Sequence, residues 1–244
     1  MPRFFVPIEN FDAEHVSITG DDAWHIARSL RMAVGEGITV CDMQGSVHEC
    51  TLLSITDEMV IARIDESCAA QSESPVRVTL YQALPKGDKM DVIVQKAVES
   101  GVYAIVPFIS ERCVSRPDAK SLEKKCVRWQ RIALEAAKQC GRGIIPQIKE
   151  PLTYEQMLDA AEGADLSCFC YEGDGTKPIK EVLRQANNVN SVSLCIGSEG
   201  GFSEKEFLLS KEKGLSPTGL GKRILRCESA PAFALACICY EYEL

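Results

Sequence analysis

The sequence predicts an α/β protein with a small β-rich N-terminal part and a larger part in which strands and helices alternate. Short strand patterns separated by turn signals fill the first 70 residues. Residues 67–75 are small and polar and end in proline, which is typical of a linker. From Val76 onward, strand and helix patterns alternate, which favours a mainly parallel sheet covered on both faces.

The N-terminal pattern is typical of a small β-barrel. Its predicted strands are Arg3–Ile8, Gly37–Met43, Ser46–Ile55 and Met59–Ile64. Between the first two strands, Asp21 or Asp22 is predicted to cap a helix that runs to about Met32. We expect one domain over residues 1–70 and a second over residues 76–244.

The larger part shows clear start and stop signals. Its predicted strands cover residues 76–83, 103–109, 165–171, 191–196 and 218–220, and its predicted helices cover 88–100, 120–140 and about 177–186. Thr153-x-x-Gln156 and Ser203-x-x-Glu206 match the capping box, in which two side chains satisfy free N–H groups at a helix start. Ser229 is predicted to cap a last helix, with Pro231 in its first turn.

Composition excludes several classes of protein. No apolar run approaches the roughly 20 residues of a membrane-spanning helix, and the start of the chain is too short and proline-broken for a secretion signal. The 12 cysteines are scattered without a CxxC pair, and the chain has only 3 histidines. We therefore expect a cytoplasmic protein with reduced thiols, no membrane partner and no metal site.

Charge is distributed unevenly. The chain has a net charge of −8, yet residues 77–149 carry 14 basic and 7 acidic side chains. A positive block within an acidic chain would suit a phosphate-binding face. A run of solvated helix faces would give the same count, so charge alone leaves both interpretations open.

Three glycine-rich loops follow predicted strands, at residues 171–175, 197–203 and 219–226. Ligands of open parallel sheets bind outside the carboxyl ends of the strands, and glycines let the backbone approach a ligand closely. The loops therefore predict a cofactor pocket, with ligand-free tight turns as the alternative. The chain lacks a P-loop, a GxGxxG that follows a strand and opens a helix, and a GxSxG elbow.

Motifs in a fixed order extend over nearly the whole chain. They are His25-x₄-Leu30-Arg31-x₃-Gly35, Lys86-Gly87-Asp88-Lys89-Met90-Asp91, Gln95-Lys96-Ala97-x-Glu99-x-Gly101, Pro107-x₃-Glu111-Arg112, Glu135-Ala136-Ala137-x-Gln139-x-Gly141-Arg142, Ile196-Gly197-x-Glu199-Gly200-Gly201-Phe202 and Leu220-Gly221-x-Arg223-Ile224-Leu225-Arg226. The ordered set resembles the RsmE-type 16S ribosomal RNA uracil-N3 methyltransferases of the SPOUT superfamily. Two positions depart from that family: Ser198 stands where proline is usual, and Cys227 stands where threonine is usual.

The resemblance implies a PUA-like barrel followed by a SPOUT domain whose C-terminal segment forms a trefoil knot. It implies a homodimer that uses S-adenosylmethionine to methylate N3 of a uridine in 16S ribosomal RNA or the small ribosomal subunit. Another SPOUT enzyme, acting on transfer RNA or a ribose hydroxyl, is one alternative. A non-enzymatic RNA-binding ribosome assembly factor is the other, although the intact glycine loops disfavour it.

The resemblance also implies roles for individual residues. The cofactor-binding residues would be Tyr171, Glu172, Gly197, Glu199, Gly200, Gly201, Leu220, Gly221, Ile224, Leu225 and Arg226. Arg226 is the first candidate to stabilise a uracil anion, ahead of Arg112 and Arg142, and Glu199 or Glu228 would accept the proton or anchor the cofactor. Candidate RNA contacts are Arg31, Lys86, Lys89, Arg112 and Arg142.

Overall fold

The computed structural model describes residues 1–186 and 188–244, which divide into two compact units. The first unit comprises Met1–Glu73 together with Ala137–Ile145, and the second comprises Ser74–Ala136 and Pro146–Leu244. The sequence did not indicate that Ala137–Ile145 joins the first unit, because that stretch begins inside the helix predicted over residues 120–140 of the larger part. The domain limits at residues 70 and 76 stay a prediction.

The first unit contains a five-stranded sheet in the order β1-β3-β4-β5-β2. Its strands are β1 (Arg3–Phe5), β2 (His15–Thr19), β3 (Gly37–Cys41), β4 (Ser46–Ile55) and β5 (Met59–Ala69). β1 pairs with β3 in parallel, and the other pairs are antiparallel. The sequence missed β2, and β1 ends before Pro7, which has no N–H to donate to a ladder.

Alternating apolar residues build the core of the first unit. Val16, Ile18, Val60 and Ala62 are each at most 1% exposed, as the period of two in a strand requires. Helix α1 (Gly20–Trp24) follows β2 and continues as a π-helical turn over His25–Ser29.

The predicted cap of this helix is wrong. The residue before α1 is Thr19, which makes no side-chain capping hydrogen bond. The carboxylate of Asp22 instead accepts a hydrogen bond from Lys138 at 3.1 Å, within the first unit. Asp21 and Asp22 therefore lie inside the first turn of the helix and not before it.

A buried ion pair joins the two chain segments of the first unit. Arg142 is 3% exposed, and its Nη2 donates to the Glu73 carboxylate at 2.6 Å. The same carboxylate accepts the backbone N–H of Gly143 at 2.8 Å. Removing one partner of a buried pair costs more than the pair contributes, because the remaining charge loses its counterion inside the protein.

We expect Glu73→Ala to lower the free energy of unfolding by about 3 kcal/mol, because it removes the carboxylate that faces this buried guanidinium. Glu66→Ala, at an exposed position of β5, is the matched control and should stay within about 0.5 kcal/mol. Urea denaturation measures both. Equal stability of the two variants would contradict a structural role for the pair.

The second unit contains an eight-stranded sheet in the order β11-β13-β10-β12-β6-β7-β8, and β9 also pairs with β7. All of its pairs are parallel. The strands are β6 (Arg77–Ala83), β7 (Ala104–Ile109), β8 (Gln147–Ile148), β9 (Leu152–Thr153), β10 (Leu166–Cys170), β11 (Lys177–Pro178), β12 (Ser191–Ile196) and β13 (Ser216–Gly219). The parallel sheet predicted from strand–helix alternation is confirmed.

Helices connect these strands, as predicted. They are α2 (Lys89–Glu99), α3 (Ala119–Cys140), α4 (Tyr154–Glu162), α5 (Ile179–Gln185), α6 (Glu204–Glu212) and α7 (Ala230–Tyr242). Both capping boxes are confirmed at the starts of α4 and α6. Ser229 precedes α7 but makes no side-chain capping hydrogen bond. Strand order does not report how a chain is threaded, so the trefoil knot stays a prediction.

Among the described residues, no helix combines the length and the apolarity that crossing a membrane would require.

Candidate active site

The structure brings the three glycine-rich loops together at one edge of the sheet. β10, β12 and β13 are neighbours, so their parallel carboxyl ends meet. The loops that follow them surround a cavity of about 440 Å³. This volume lies within the usual range of small-molecule sites. Every predicted cofactor-binding residue lines the cavity except Gly200.

A tight turn after β12 forms one wall of the cavity. The N–H of Gly201 donates to the carbonyl of Ser198 at 3.0 Å, and Gly201 has a φ of +63°. Gly197 packs against this turn so closely that a Cβ there would lie 3.1 Å from the Cα of Gly201. Phe202 anchors the turn, since it is 2% exposed and its ring lies 4.2 Å from that of Phe169.

The loop after β10 forms the facing wall. The Tyr171 ring stacks on Phe207 at 4.3 Å, and its backbone N–H donates to the carbonyl of Thr218 at 3.0 Å. Glu172 follows, and its carboxylate lies beside Gly201, 3.6 Å from where a Cβ would stand. This loop therefore contributes an aromatic ring and a carboxylate to the cavity.

The loop between β13 and α7 closes the third side. Leu225 is half-buried and Cys227 is buried, whereas Ile224 and Arg226 point outward. The carbonyl of Arg226 accepts the N–H of Ser229 at 2.8 Å, which closes a turn before α7. Ile224 borders the cavity but is 82% exposed, so it contributes less apolar surface to a cofactor than predicted.

Lys89, in the first turn of α2, links two of these loops. Its Nζ lies 2.9 Å from Oε1 of Glu199 and 3.4 Å from Oε2 of Glu228. It also donates to the Cys227 thiol at 3.8 Å. We name Lys89, Glu199 and Glu228 the Lys89 clamp.

The clamp shifts the pKa values of its members. The hydrogen bond to Glu199 raises the pKa of Lys89. Burial opposes ionisation of Glu199, but the hydrogen bonds from Lys89 and from the N–H of Lys86 outweigh it, so its pKa is lowered. The backbone N–H of Glu228 itself lowers the pKa of that residue, and Cys227 and Lys89 contribute further. All three groups are therefore charged at neutral pH.

The predicted RNA-contact residues lie in different settings. Arg31 and Lys86 are exposed. Arg112 donates to the carbonyl of Gly200 at 3.0 Å, so it supports the turn after β12. Arg142 is buried against Glu73 in the first unit, which argues against its prediction both as an RNA contact and as a group that stabilises a uracil anion. Arg226 has an 84% exposed side chain whose Nη1 lies 4.0 Å from Glu228.

The two departures from the family pattern both fall at this site. Ser198 is 6% exposed, and its Oγ has no hydrogen-bond partner among the described residues. The Cys227 thiol donates to Glu228 at 3.3 Å, and burial raises its pKa to about 12. Cys227 therefore keeps a hydrogen bond at the position where threonine is usual.

Sequence reasoning gave Lys89 only a role in RNA binding. Its position six residues after the carboxyl end of β6, which lies next to β12 in the sheet, was the signal that it would reach the cavity. Sequence reasoning also did not assign Phe202 to the site, because its packing on Phe169 is a contact between residues distant in sequence. Thr176 and Ala230 line the cavity as well, and no sequence pattern identified either of them as a site residue.

Comparison with known proteins is consistent with a cofactor cavity at this edge of the sheet. Residues 72–239 match an RNA methyltransferase domain family, and residues 18–65 match an RNA methyltransferase PUA domain family. The chain is 33% identical to ribosomal RNA small subunit methyltransferase E of Bacillus subtilis over 100% of its length and 98% of that protein. This protein belongs to the ribosomal RNA small subunit methyltransferase E family. The PUA-like and α/β fold class predicted from the sequence is thereby confirmed.

Two solved structures to which this chain is similar contain a bound ligand. The methyltransferase E of Neisseria gonorrhoeae bound to S-adenosylmethionine is 33% identical, with a TM-score of 0.86 over 99% of this chain and 98% of that one. A methyltransferase from Legionella pneumophila in complex with the same cofactor is 30% identical, with a TM-score of 0.85 over 98% and 96% of the two chains.

The cavity of this methyltransferase E family member fits S-adenosylmethionine by its chemistry. Leu220 and Leu225, which are partly exposed, offer apolar surface to a flat adenine ring. The glycine turns expose backbone groups at the same edge of the sheet. The carboxylates of Glu172 and Glu199 suit a cofactor that carries a cationic ammonium and a cationic sulfonium.

We expect Gly197→Ala to weaken S-adenosylmethionine binding at least about tenfold, because its Cβ would press on Gly201 at 3.1 Å and on the Phe202 ring at 3.3 Å. Gly163→Ala is the matched control, since its Cβ would make only an ordinary contact 3.9 Å from the Ala160 carbonyl. Isothermal titration calorimetry gives both affinities. Wild-type affinity in Gly197→Ala would contradict this account of the turn.

Proposed function

We propose that this protein transfers a methyl group from S-adenosylmethionine to N3 of a uridine in 16S ribosomal RNA, acting in the cytoplasm on the RNA or the small subunit. The observation that carries the proposal is the cavity formed by three glycine-rich loops and lined by carboxylates. Similarity to methyltransferase E proteins over the full chain supports the choice of substrate.

The reaction needs an electrophile and an ionised uracil. S-adenosylmethionine supplies an electrophilic methyl group when it is bound. The protein must hold the two partners in line and stabilise the negative charge that develops when the N3 proton leaves. N3 lies on the pairing edge of the base, so the target uridine must be unpaired or flipped out.

Arg226 is the residue that we assign to the uracil anion. Its guanidinium stands at the mouth of the cavity with an 84% exposed side chain, and its one ion pair with the described residues is a long contact of 4.0 Å to Glu228. It is therefore available to donate hydrogen bonds to the carbonyl oxygens of the base. Arg112 is less suitable, because it already donates to Gly200.

Glu199 and Glu228 act as positioning residues in this proposal, and not as the base. Both carboxylates face the Lys89 ammonium, and the pKa of each is lowered. A carboxylate with a lowered pKa is a weaker proton acceptor. Together with Lys89 they hold the cofactor loops in place.

The surface of α7 supports the proposal of a homodimer. Phe233, Ala236, Cys237 and Tyr240 share one face of this helix by their spacing, and Phe233 and Tyr240 are 39% and 71% exposed. The opposite face, with Ala234, Leu235 and Ile238, is buried. Because α7 is apolar on both faces, we propose that a second copy of the chain covers the exposed one.

The function is tested by incubating unmodified, in vitro transcribed 16S ribosomal RNA or small subunits with the protein and S-adenosylmethionine. Digestion to nucleosides and mass spectrometry should show N3-methyluridine. Another methylated nucleoside, or a product found only with transfer RNA, would instead indicate a different SPOUT activity. RNA binding without any methylation or cofactor binding would indicate an assembly factor.

We expect Arg226→Ala to reduce methyl transfer about 100-fold or more while cofactor affinity changes little, because the guanidinium acts on the uracil anion. Single-turnover rates and calorimetry separate the two quantities. Lys180→Ala, which removes an exposed cation on α5, is the control and should turn over normally. Unchanged turnover by Arg226→Ala would exclude the assignment.

We also expect the single-turnover rate to rise with pH from about pH 6 to about pH 9. The pKa values of Glu199 and Glu228 are lowered, so both groups stay ionised over this range. Neither group therefore adds a titration step to the plot of rate against pH. The rise would follow loss of the N3 proton. A plateau that begins near pH 6 would show that a carboxyl group of raised pKa acts as the base.

Phe233→Glu combined with Tyr240→Glu should convert a dimer into a monomer, because four new charges per dimer would be buried. Size-exclusion chromatography with light scattering measures the mass. Leu208→Glu, at a 52% exposed position on α6, should remain dimeric. A wild-type monomer would refute the proposed homodimer.

A further inference from the structure

The rim of the cofactor cavity carries an outward-facing set of side chains that the proposed mechanism does not use. Lys222, Arg223 and Ile224 are exposed in the loop between β13 and α7, and all three border the cavity. Arg226 extends the same rim. We name Lys222, Arg223 and Ile224 the rim segment.

The cations of the rim segment are not used in ion pairs. Within residues 1–186 and 188–244, neither Lys222 nor Arg223 has a carboxylate within 4.0 Å. The nearest acidic residue along the loop, Glu228, already faces Lys89 at 3.4 Å. An unpaired pair of cations on a chain with a net charge of −8 creates a local positive field.

Ile224 adds a second, independent feature. It is 82% exposed, although isoleucine is among the residues most often found fully buried. It stands between Arg223 and Leu225, and the side chain of Leu225 is turned toward the protein. An exposed apolar side chain that follows two cations matches a nucleic-acid strand, which offers phosphates together with the faces of unstacked bases.

We propose that the rim segment binds the RNA strand beside the target uridine, with Lys222 and Arg223 on phosphates and Ile224 against a neighbouring base. The inference rests on the proposed function, because it concerns the RNA of the same reaction. In this proposal the rim segment contacts RNA and not the cofactor. It holds the RNA strand at the mouth of the cavity while the target base enters. A second copy of the chain is the competing occupant, and it would not require two unpaired cations.

The salt dependence of RNA binding tests the cations. The probe is in vitro transcribed 16S ribosomal RNA, with affinity measured by filter binding between about 0.1 M and about 1 M salt. Lys222→Gln with Arg223→Gln should reduce the slope of log affinity against log salt by about 1.4, and the affinity at 0.1 M about 25-fold relative to that at 1 M. Lys180→Gln with Lys205→Gln removes two exposed cations outside the cavity and should leave the slope unchanged.

Ile224→Ala tests the apolar contact. It should lower RNA affinity several-fold with the salt slope unchanged, since no phosphate contact is lost. Leu208→Ala, on α6, is its control. Wild-type slopes and affinities in the rim variants would overturn the proposal, and so would their conversion to monomers or an equal loss of S-adenosylmethionine affinity by calorimetry.

Failure of the proposed function would have a different signature. The wild-type protein itself would then not methylate ribosomal RNA, whether or not it binds it. If the wild-type protein does methylate 16S ribosomal RNA and the rim variants bind it normally, only the rim proposal fails.

Discussion

The ammonium group of Lys89 connects two of the three loops that line the active-site cavity of this protein. Lys89 extends from the first turn of α2 and lies between Glu199, on the turn after β12, and Glu228, on the turn before α7. Those two turns are 28 residues apart in sequence and would carry adjacent negative charges without the lysine. The cavity that they line therefore depends on a cation from a third element. The exposure of the Lys89 side chain, 36%, keeps its desolvation cost moderate.

The charge pattern of the chain shows why the net charge of a segment does not predict which of its cations are free to bind RNA. The basic block at residues 77–149 suggested an RNA face, yet several of its cations are paired within the unit to which they belong. Arg128 pairs with Asp91, Lys96 with Glu99 and Arg142 with Glu73. The unpaired Lys222 and Arg223 lie in a C-terminal segment whose overall charge is negative. Local pairing, which composition does not report, decides which cations are available to phosphate.

The sequence was most informative where structure is local. The capping boxes at Thr153 and Ser203 depend on side chains three residues apart, and the strand–helix alternation depends on short periods, so both were predictable. The meeting of the three loops followed from the rule for parallel sheets. The Lys89 clamp, the addition of Ala137–Ile145 to the first unit and the outward turn of Ile224 depend on contacts between distant residues, which periodicity does not encode.

The most direct test of the clamp is hydrogen exchange of the amides in residues 197–201 and 220–228, compared between wild type, Lys89→Arg and Lys89→Met. If Lys89 holds both turns, Lys89→Met should speed exchange in both segments together, because Glu199 and Glu228 then repel each other, and Lys89→Arg should retain most of the protection. Unchanged protection in Lys89→Met would show that each turn is stable on its own, and would contradict the central role given to this lysine.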